Sequence, residues 1–289
     1  MLAEVRALGF EYAELGHGTR LSLVDGIRAA VAAGEMKICS LHNFCPLPVG
    51  VMGPSPDYYR PSSLNETERQ LAVRHTLRTL EFAASLGAKL VVLHLGLVEM
   101  PDYTEKLMNL FASAQGDTPK FEDLRVKAVT VRAQKRQRNL DQMFRSLDEI
   151  VPRARAAGVR LGLETRFAIE EIPSEDEVGE IIRRYGADSV AYWHDVGHAQ
   201  VKENFGITSH ESLLARYRGR TAGMHLQDFS PPAFDHQPPG AGTFNFTRLA
   251  PHVTDDMVLA WELHPNCSAG RITEACRRTH ELIRSPVRA

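Results

Sequence analysis

The feature that most constrains this chain is a rhythm in which helical stretches end at a glycine and lead into short, apolar, β-like runs. The helical stretches include SLVDGIRAAVAAG (22–34), NETERQLAVRHTLRTLEFAASLG (65–87), the long LRVKAVTVRAQKRQRNLDQMFRSLDEIVPRARAAG (124–158) and SEDEVGEIIRRYG (174–186). Glycine is well suited to close a helix because it enters the left-handed region without steric cost. The β-like runs are EYAEL (11–15), KICSLHN (37–43), KLVVLHLG (89–96), VRLGLET (159–165), VAYWHDV (190–196), TAGMHLQD (221–228) and MVLAWELH (257–264). Strands that alternate with helical crossovers form parallel sheets.

With 289 residues and 43% hydrophobic content, the chain suits one α/β barrel, typically about 250 residues, better than two small domains. The expected organisation is therefore a single domain over 1–289, of TIM (β/α)8 type. Seven runs are one short of eight, and the opening MLAEVRALGF reads as a helix, so the barrel is expected to lack or truncate its first strand. A late start is preferred to a seven-strand closure, since a gap leaves backbone groups unpaired beside the core.

Two stretches interrupt the rhythm and are expected to act as lids. FCPLPVGVMGPSPDYYRPSS (44–63) carries Tyr58, Tyr59 and Arg60, which either meet a substrate or pin a surface loop. LVEMPDYTEKLMNLFASAQGDTPK (97–120) has helical periodicity at Tyr103, Leu107, Leu110 and Phe111 and is expected to pack over the rim or against another subunit, so a homo-oligomer is compatible with it. The net charge of −2 creates no basic field, and the cluster KAVTVRAQKRQRN (127–139) reads as a solvated helix face; nucleic acid is not an expected partner. Cys39, Cys45, Cys267 and Cys276 show no CxxC spacing, and there is no long apolar span, which points to a reducing, cytoplasmic setting with no membrane partner.

Four of the β-like runs close on a residue able to bind a divalent cation: Glu164, Asp195, His225 and Glu262. A parallel barrel gathers its strand ends at one rim, so these side chains are expected to converge on one ion. Three carboxylates and one imidazole suit Mn²⁺, Mg²⁺ or Co²⁺, with Zn²⁺ as a further candidate. Taken alone, each could instead cap a helix or satisfy a rim hydrogen bond. Side chains two apart share a face of a strand, which sets Glu164 over Gly162, His225 over Gly223, Glu262 over Ala260 and His42 over Ser40. Small residues beneath the ligands imply a pocket there, although Trp193 beneath Asp195 and Val92 beneath His94 break the pattern.

With GFEYAELG, SLHNF, LGAKLVVLHLG, GVRLGLET, WHDVGHA, MHLQD, PPGAG and WELHP in this order, the chain resembles the xylose isomerase-like TIM-barrel family over nearly its whole length. That family takes in sugar and sugar-phosphate isomerases and epimerases, dehydratases and zinc-dependent AP-site endonucleases. The resemblance implies that Glu164, Asp195, His225 and Glu262 bind one catalytic divalent ion, with His198 beside it as a substrate contact. It implies a carbohydrate substrate and proton transfer through an enediolate, with Glu164 and Glu262 exchanging the carbon-bound proton in either order. Arg166 either binds a substrate oxygen or phosphate or forms a rim salt bridge. The alternatives are a dehydratase or lyase acting on a related keto-polyol, and an endonuclease-like hydrolase with three zinc ions. His42, His94, His198 and His236 fall where that hydrolase has histidines, and as substrate contacts they also suit the sugar enzymes. Phe234 stands where the hydrolase has a ligand aspartate, with Asp235 displaced by one, which favours the sugar chemistry. Asp228 is expected to orient an imidazole.

Overall fold

The computed structural model describes residues 1–51 and 53–284; Met52, inside the 44–63 stretch, and residues 285–289 lie outside them. All seven expected runs are strands: β1 (Tyr12–Leu15), β2 (Lys37–His42), β3 (Leu90–Leu93), β4 (Arg160–Glu164), β5 (Val190–Asp195), β6 (Thr221–Leu226) and β9 (Val258–Trp261). Between β6 and β9 lie two further short strands, β7 (Asp228–Ser230) and β8 (Phe234–Gln237), paired antiparallel as a hairpin that the sequence reading did not anticipate. The seven long-range strands follow the order β1-β2-β3-β4-β5-β6-β9, with parallel registers. The opening segment is a helix, α1 (Leu2–Ala7), as expected.

The chain divides into two compact units, one comprising Met1–Val98, Arg136–Glu164 and Asp176–Ala191, the other Glu99–Lys135, Thr165–Glu175 and Tyr192–Ala289. In the first, α2 (Val24–Ala32) and α3 (Glu66–Ser85) are the crossovers between successive strands, and α3 packs on α6 (Gln137–Ala156). The long helix expected over 124–158 is two helices, α5 (Pro119–Lys135) and α6, interrupted at Arg136. Helices close at left-handed glycines as read from the sequence, with φ of +74° at Gly87 and +65° at Gly158.

The 44–63 stretch is anchored where it returns to α3. Buried Ser62 takes the Leu97 amide on its hydroxyl (3.0 Å), donates its own amide to the Leu95 carbonyl (3.1 Å), and offers its carbonyl to Asn139 (3.0 Å). A Cβ on Gly96 would stand 2.2 Å from that hydroxyl, so glycine is required there. Tyr59 stacks on His75 with ring centroids 5.4 Å apart, and Arg60 pairs with Glu68 at 2.7 Å. Pinning by aromatic packing, one of the two readings of these residues, is what is observed.

In the second unit the 97–120 insertion supplies α4 (Thr104–Ala112) and leads into α5. Tyr103, Leu107, Phe121 and Ala128 form an apolar cluster with Val201 and Phe205 of α8 (Val196–Asn204) and with Phe229 of β7. The buried Glu170 carboxylate fixes the start of α4 by accepting from the Tyr103 amide (2.7 Å) and the Thr104 hydroxyl (2.6 Å). The helix α10 (Ala269–Arg284) packs against a 3-10 turn at Phe246–His252. Among the described residues no helix is long and apolar enough to cross a membrane. All four cysteines are free, and burial pushes the Cys45 thiol up to about 12 and Cys39 up to about 11, as for small core side chains.

Behind β5 runs a buried hydrogen-bonded chain: the Thr165 and Tyr192 hydroxyls (2.6 Å), Tyr192 and His194 Nδ1 (2.7 Å), then His194 Nε2 and His210 Nδ1 (3.0 Å). Burial pulls His194 well below its ordinary value and His210 down to about 4, so both rings are neutral. Because the folded value of His210 lies below its unfolded value of 6.5, its stabilising share is complete above pH 6.5 and shrinks as the pH falls toward 4. Urea midpoints should accordingly drop between pH 7 and pH 5, and His210→Asn should flatten that dependence.

Candidate metal centre

In the second unit, the ends of three neighbouring strands present their polar side chains together. Asp195 and His225 are register partners across β5 and β6, and Glu262 follows β9, its amide bonded to the Leu226 carbonyl (3.1 Å). The His225 Nδ1 atom lies 3.6 Å from Asp195 Oδ2 and 3.0 Å from Glu262 Oε2. One ligand atom of each of the three lies within 4.8 Å of the other two. Asp195 also caps α8, its Oδ1 accepting from the His198 amide at 2.7 Å. Capping and ligation, weighed above as alternatives, are thus compatible in one carboxylate.

The space beneath His225 is filled. A Cβ on Gly223 would come within 2.5 Å of the Trp193 ring, and that ring meets His225 edge-on with centroids 5.0 Å apart. The small residue therefore admits a tryptophan from the adjacent strand, and the pocket inferred from parity is not formed there. His198 donates from Nδ1 to the Thr165 carbonyl (2.9 Å). His236, at the end of the β7–β8 hairpin, faces Asp235 (2.8 Å) and Glu262 (3.8 Å). Burial pulls its imidazole down, but hydrogen bonds to Asp235 and Glu262 outweigh it and hold the ring at about 10. Phe234 is exposed at the hairpin, with its backbone carbonyl accepting from Gln237.

In the first unit, the buried Glu164 Oε2 accepts from two imidazoles, His42 Nε2 at 3.1 Å and His94 Nε2 at 2.6 Å. The other nitrogen of His94 is 3.0 Å from Asp57, and the His42 ring is flanked by His17 at 5.2 Å. Asp57 and His17 were not singled out from the sequence. His17 carried a usable signal, since it follows β1 at a strand end; Asp57 sits in the 44–63 loop and carried none. Glu164 is the last residue of β4.

One expectation changes. Asp228 accepts four hydrogen bonds, all from backbone amides: Phe229 (2.8 Å) and Phe244 (2.9 Å) on Oδ1, Gly240 (2.7 Å) and Gly242 (3.0 Å) on Oδ2. It organises the PPGAG turn and orients no imidazole. Arg166 is buried and donates to the Glu171 carboxylate, the salt-bridge alternative of its two readings.

The donor set fits a divalent ion. Adjacent ligands around an octahedral ion at about 2.1 Å stand about 3 Å apart, comparable to the 3.0 and 3.6 Å separations at His225 Nδ1. Two carboxylates against one buried imidazole also form a strongly cation-attracting group.

A family model described as a xylose isomerase-like TIM barrel matches residues 2–266. The chain belongs to this family. Among solved structures, a D-tagatose 3-epimerase-like protein is 19% identical with a TM-score of 0.64, over 95% of this chain and 90% of that one. L-ribulose 3-epimerase is 14% identical with a TM-score of 0.65, over 100% and 92%. The IOLI protein with a binding zinc atom is 16% identical with a TM-score of 0.62, over 98% and 90%. These likenesses concern the fold and agree with the TIM barrel of the family. Compared with curated protein sequences, the chain matches none.

Replacing Asp228 by Asn turns one acceptor oxygen into a donor facing two peptide N–H groups. Chemical denaturation of Asp228→Asn should show a loss of about 1–3 kcal/mol, with the largest rise in hydrogen exchange at Gly240–Phe244.

Proposed function

We propose that this member of the xylose isomerase-like family is a divalent-metal-dependent isomerase or epimerase acting, as one domain, on a carbohydrate. The observation that carries this reading is the meeting of Asp195, His225 and Glu262 at neighbouring strand ends. The family resemblance adds Glu164, at the end of β4, as the fourth proposed ligand. The epimerases among the structural relatives, and the zinc atom bound by one of them, support it.

One ion, Mn²⁺, Mg²⁺, Co²⁺ or Zn²⁺, would be held by Glu164, Asp195, His225 and Glu262, and when bound it supplies positive charge where a substrate oxygen becomes negative. Glu164 and Glu262 are the proton carriers. One takes the proton from the carbon beside the carbonyl, the electron pair moves onto the carbonyl oxygen to give an enediolate, and the other returns a proton to carbon. His42 and His94 steady Glu164 through Oε2, so that carboxylate enters the reaction in a single orientation. His198, with its Nδ1 spent on the Thr165 carbonyl, offers Nε2 to a substrate hydroxyl. His236 faces Glu262 and is placed to meet a substrate oxygen. Arg166, tied to Glu171, shapes this wall.

Purified protein should carry one divalent ion per chain, and a panel of ketoses in D₂O should gain deuterium at the carbon next to the carbonyl. Glu262→Gln should abolish that incorporation while leaving the circular dichroism spectrum unchanged; full activity in this variant would refute its role. A dehydratase would show the same proton abstraction followed by loss of the β-hydroxyl, visible as a mass decrease of one water. The convergence of His42 and His94 on Glu164 is the observation that favours the hydrolase alternative. Three zinc ions per chain, no exchange with any sugar and cleavage of abasic DNA would establish that alternative instead.

A further inference from the structure

Gln227, between β6 and β7, is fully buried and joins two parts of the second unit that the chemistry above leaves unconnected. Its Nε2 donates to Asp195 Oδ2 at 2.8 Å, and its Oε1 accepts the backbone amide of His236. The amide has one orientation, because a peptide N–H can only donate and thereby claims the oxygen, which leaves the nitrogen for the carboxylate. His236 is held in an unusual state. It is a non-glycine residue with φ of +54°, a region L-residues avoid, and its carbonyl accepts from the His264 amide at 2.8 Å. The motif WHDVGH makes room for this bridge: a Cβ on Gly197 would lie 2.9 Å from Asp235 Cβ and 3.0 Å from Gln227 Cδ.

We propose that Gln227 is a positioning residue that makes ion binding at Asp195 and the closed conformation of the β7–β8 hairpin a single cooperative event. The inference rests on the metal-site reading given above. An ion that fixes Asp195 Oδ2 fixes the Gln227 amide, which in turn holds the His236 backbone in its left-handed conformation with the ring toward Glu262. By linkage the reverse also holds: a hairpin that opens releases Gln227 and loosens one ligand.

The test uses the full chain and Mn²⁺ as probe. Titration calorimetry on the wild type comes first; absence of Mn²⁺ binding there overturns the metal-site reading and this inference with it, before any variant is made. Given binding, Gln227→Met, which keeps the volume and removes the amide, should weaken Mn²⁺ affinity 10- to 100-fold. Hydrogen exchange supplies a readout that simple structural support would not move: in the wild type, saturating Mn²⁺ should slow exchange of the His236 amide at least tenfold, and in Gln227→Met it should not. If Gln227→Met fails to fold, Gly197→Ala, which crowds the bridge, should move both measurements in the same direction by a smaller factor. Wild-type affinity in a folded variant, or exchange at His236 indifferent to Mn²⁺ in the wild type, overturns the coupling while leaving the metal site standing.

Discussion

The arrangement depends on compensating negative charge that has been drawn out of water. An isolated buried carboxylate costs several kcal/mol, on the order of the whole stability of a domain, so each one here is met by donors. Asp195 is met on one oxygen by the His198 amide and on the other by Gln227, and Glu164 by two imidazoles. Glu262 stands between His225 and His236. Imidazole and amide N–H groups hold each acid in a fixed orientation. What results is a group of carboxylates that is tolerable in the fold and still strongly attractive to a cation.

The same device shapes loops within each unit. Asp228 collects four backbone amides and thereby dictates the PPGAG turn, Glu170 starts α4, and Glu68 ties Arg60 and Ser63 to the first turn of α3. Long connections are costly to order, and a carboxylate that gathers several donors offsets that cost at one point. The 44–63 stretch, with Ser62 bonded to strand, loop and helix backbone, is accordingly a fixed wall at its C-terminal end.

Elements that depend on local pattern could be read from the sequence. The seven strand runs show the expected apolar patterns, and the helices stop at glycines that do adopt positive φ, so the fold class follows from periodicity. What escaped is what arises between segments. The β7–β8 hairpin is three and four residues long and turns through Pro231 and Pro232, too short for alternation to register. The break at Arg136 has neither glycine nor proline to mark it, and Arg136 keeps helical dihedrals of −61° and −31°. Gly223 was assigned to a pocket because parity considers one strand at a time, whereas the occupant, Trp193, comes from the next. Gln227 stood in the quoted MHLQD, but only the folded chain brings Asp195 to one end of its amide and His236 to the other.

Trp193 is one of only two tryptophans in the chain, and it lies fully buried with its ring edge-on to His225. Indole emission responds to the charge and polarity of its immediate surroundings, and under the proposed metal reading a cation arriving at the facing imidazole would alter both. The second tryptophan, Trp261, sits against Phe246 with ring centroids 5.9 Å apart and supplies a background from the adjoining strand. A ring whose evident structural task is to fill the space left by a glycine would then report occupancy of the proposed site.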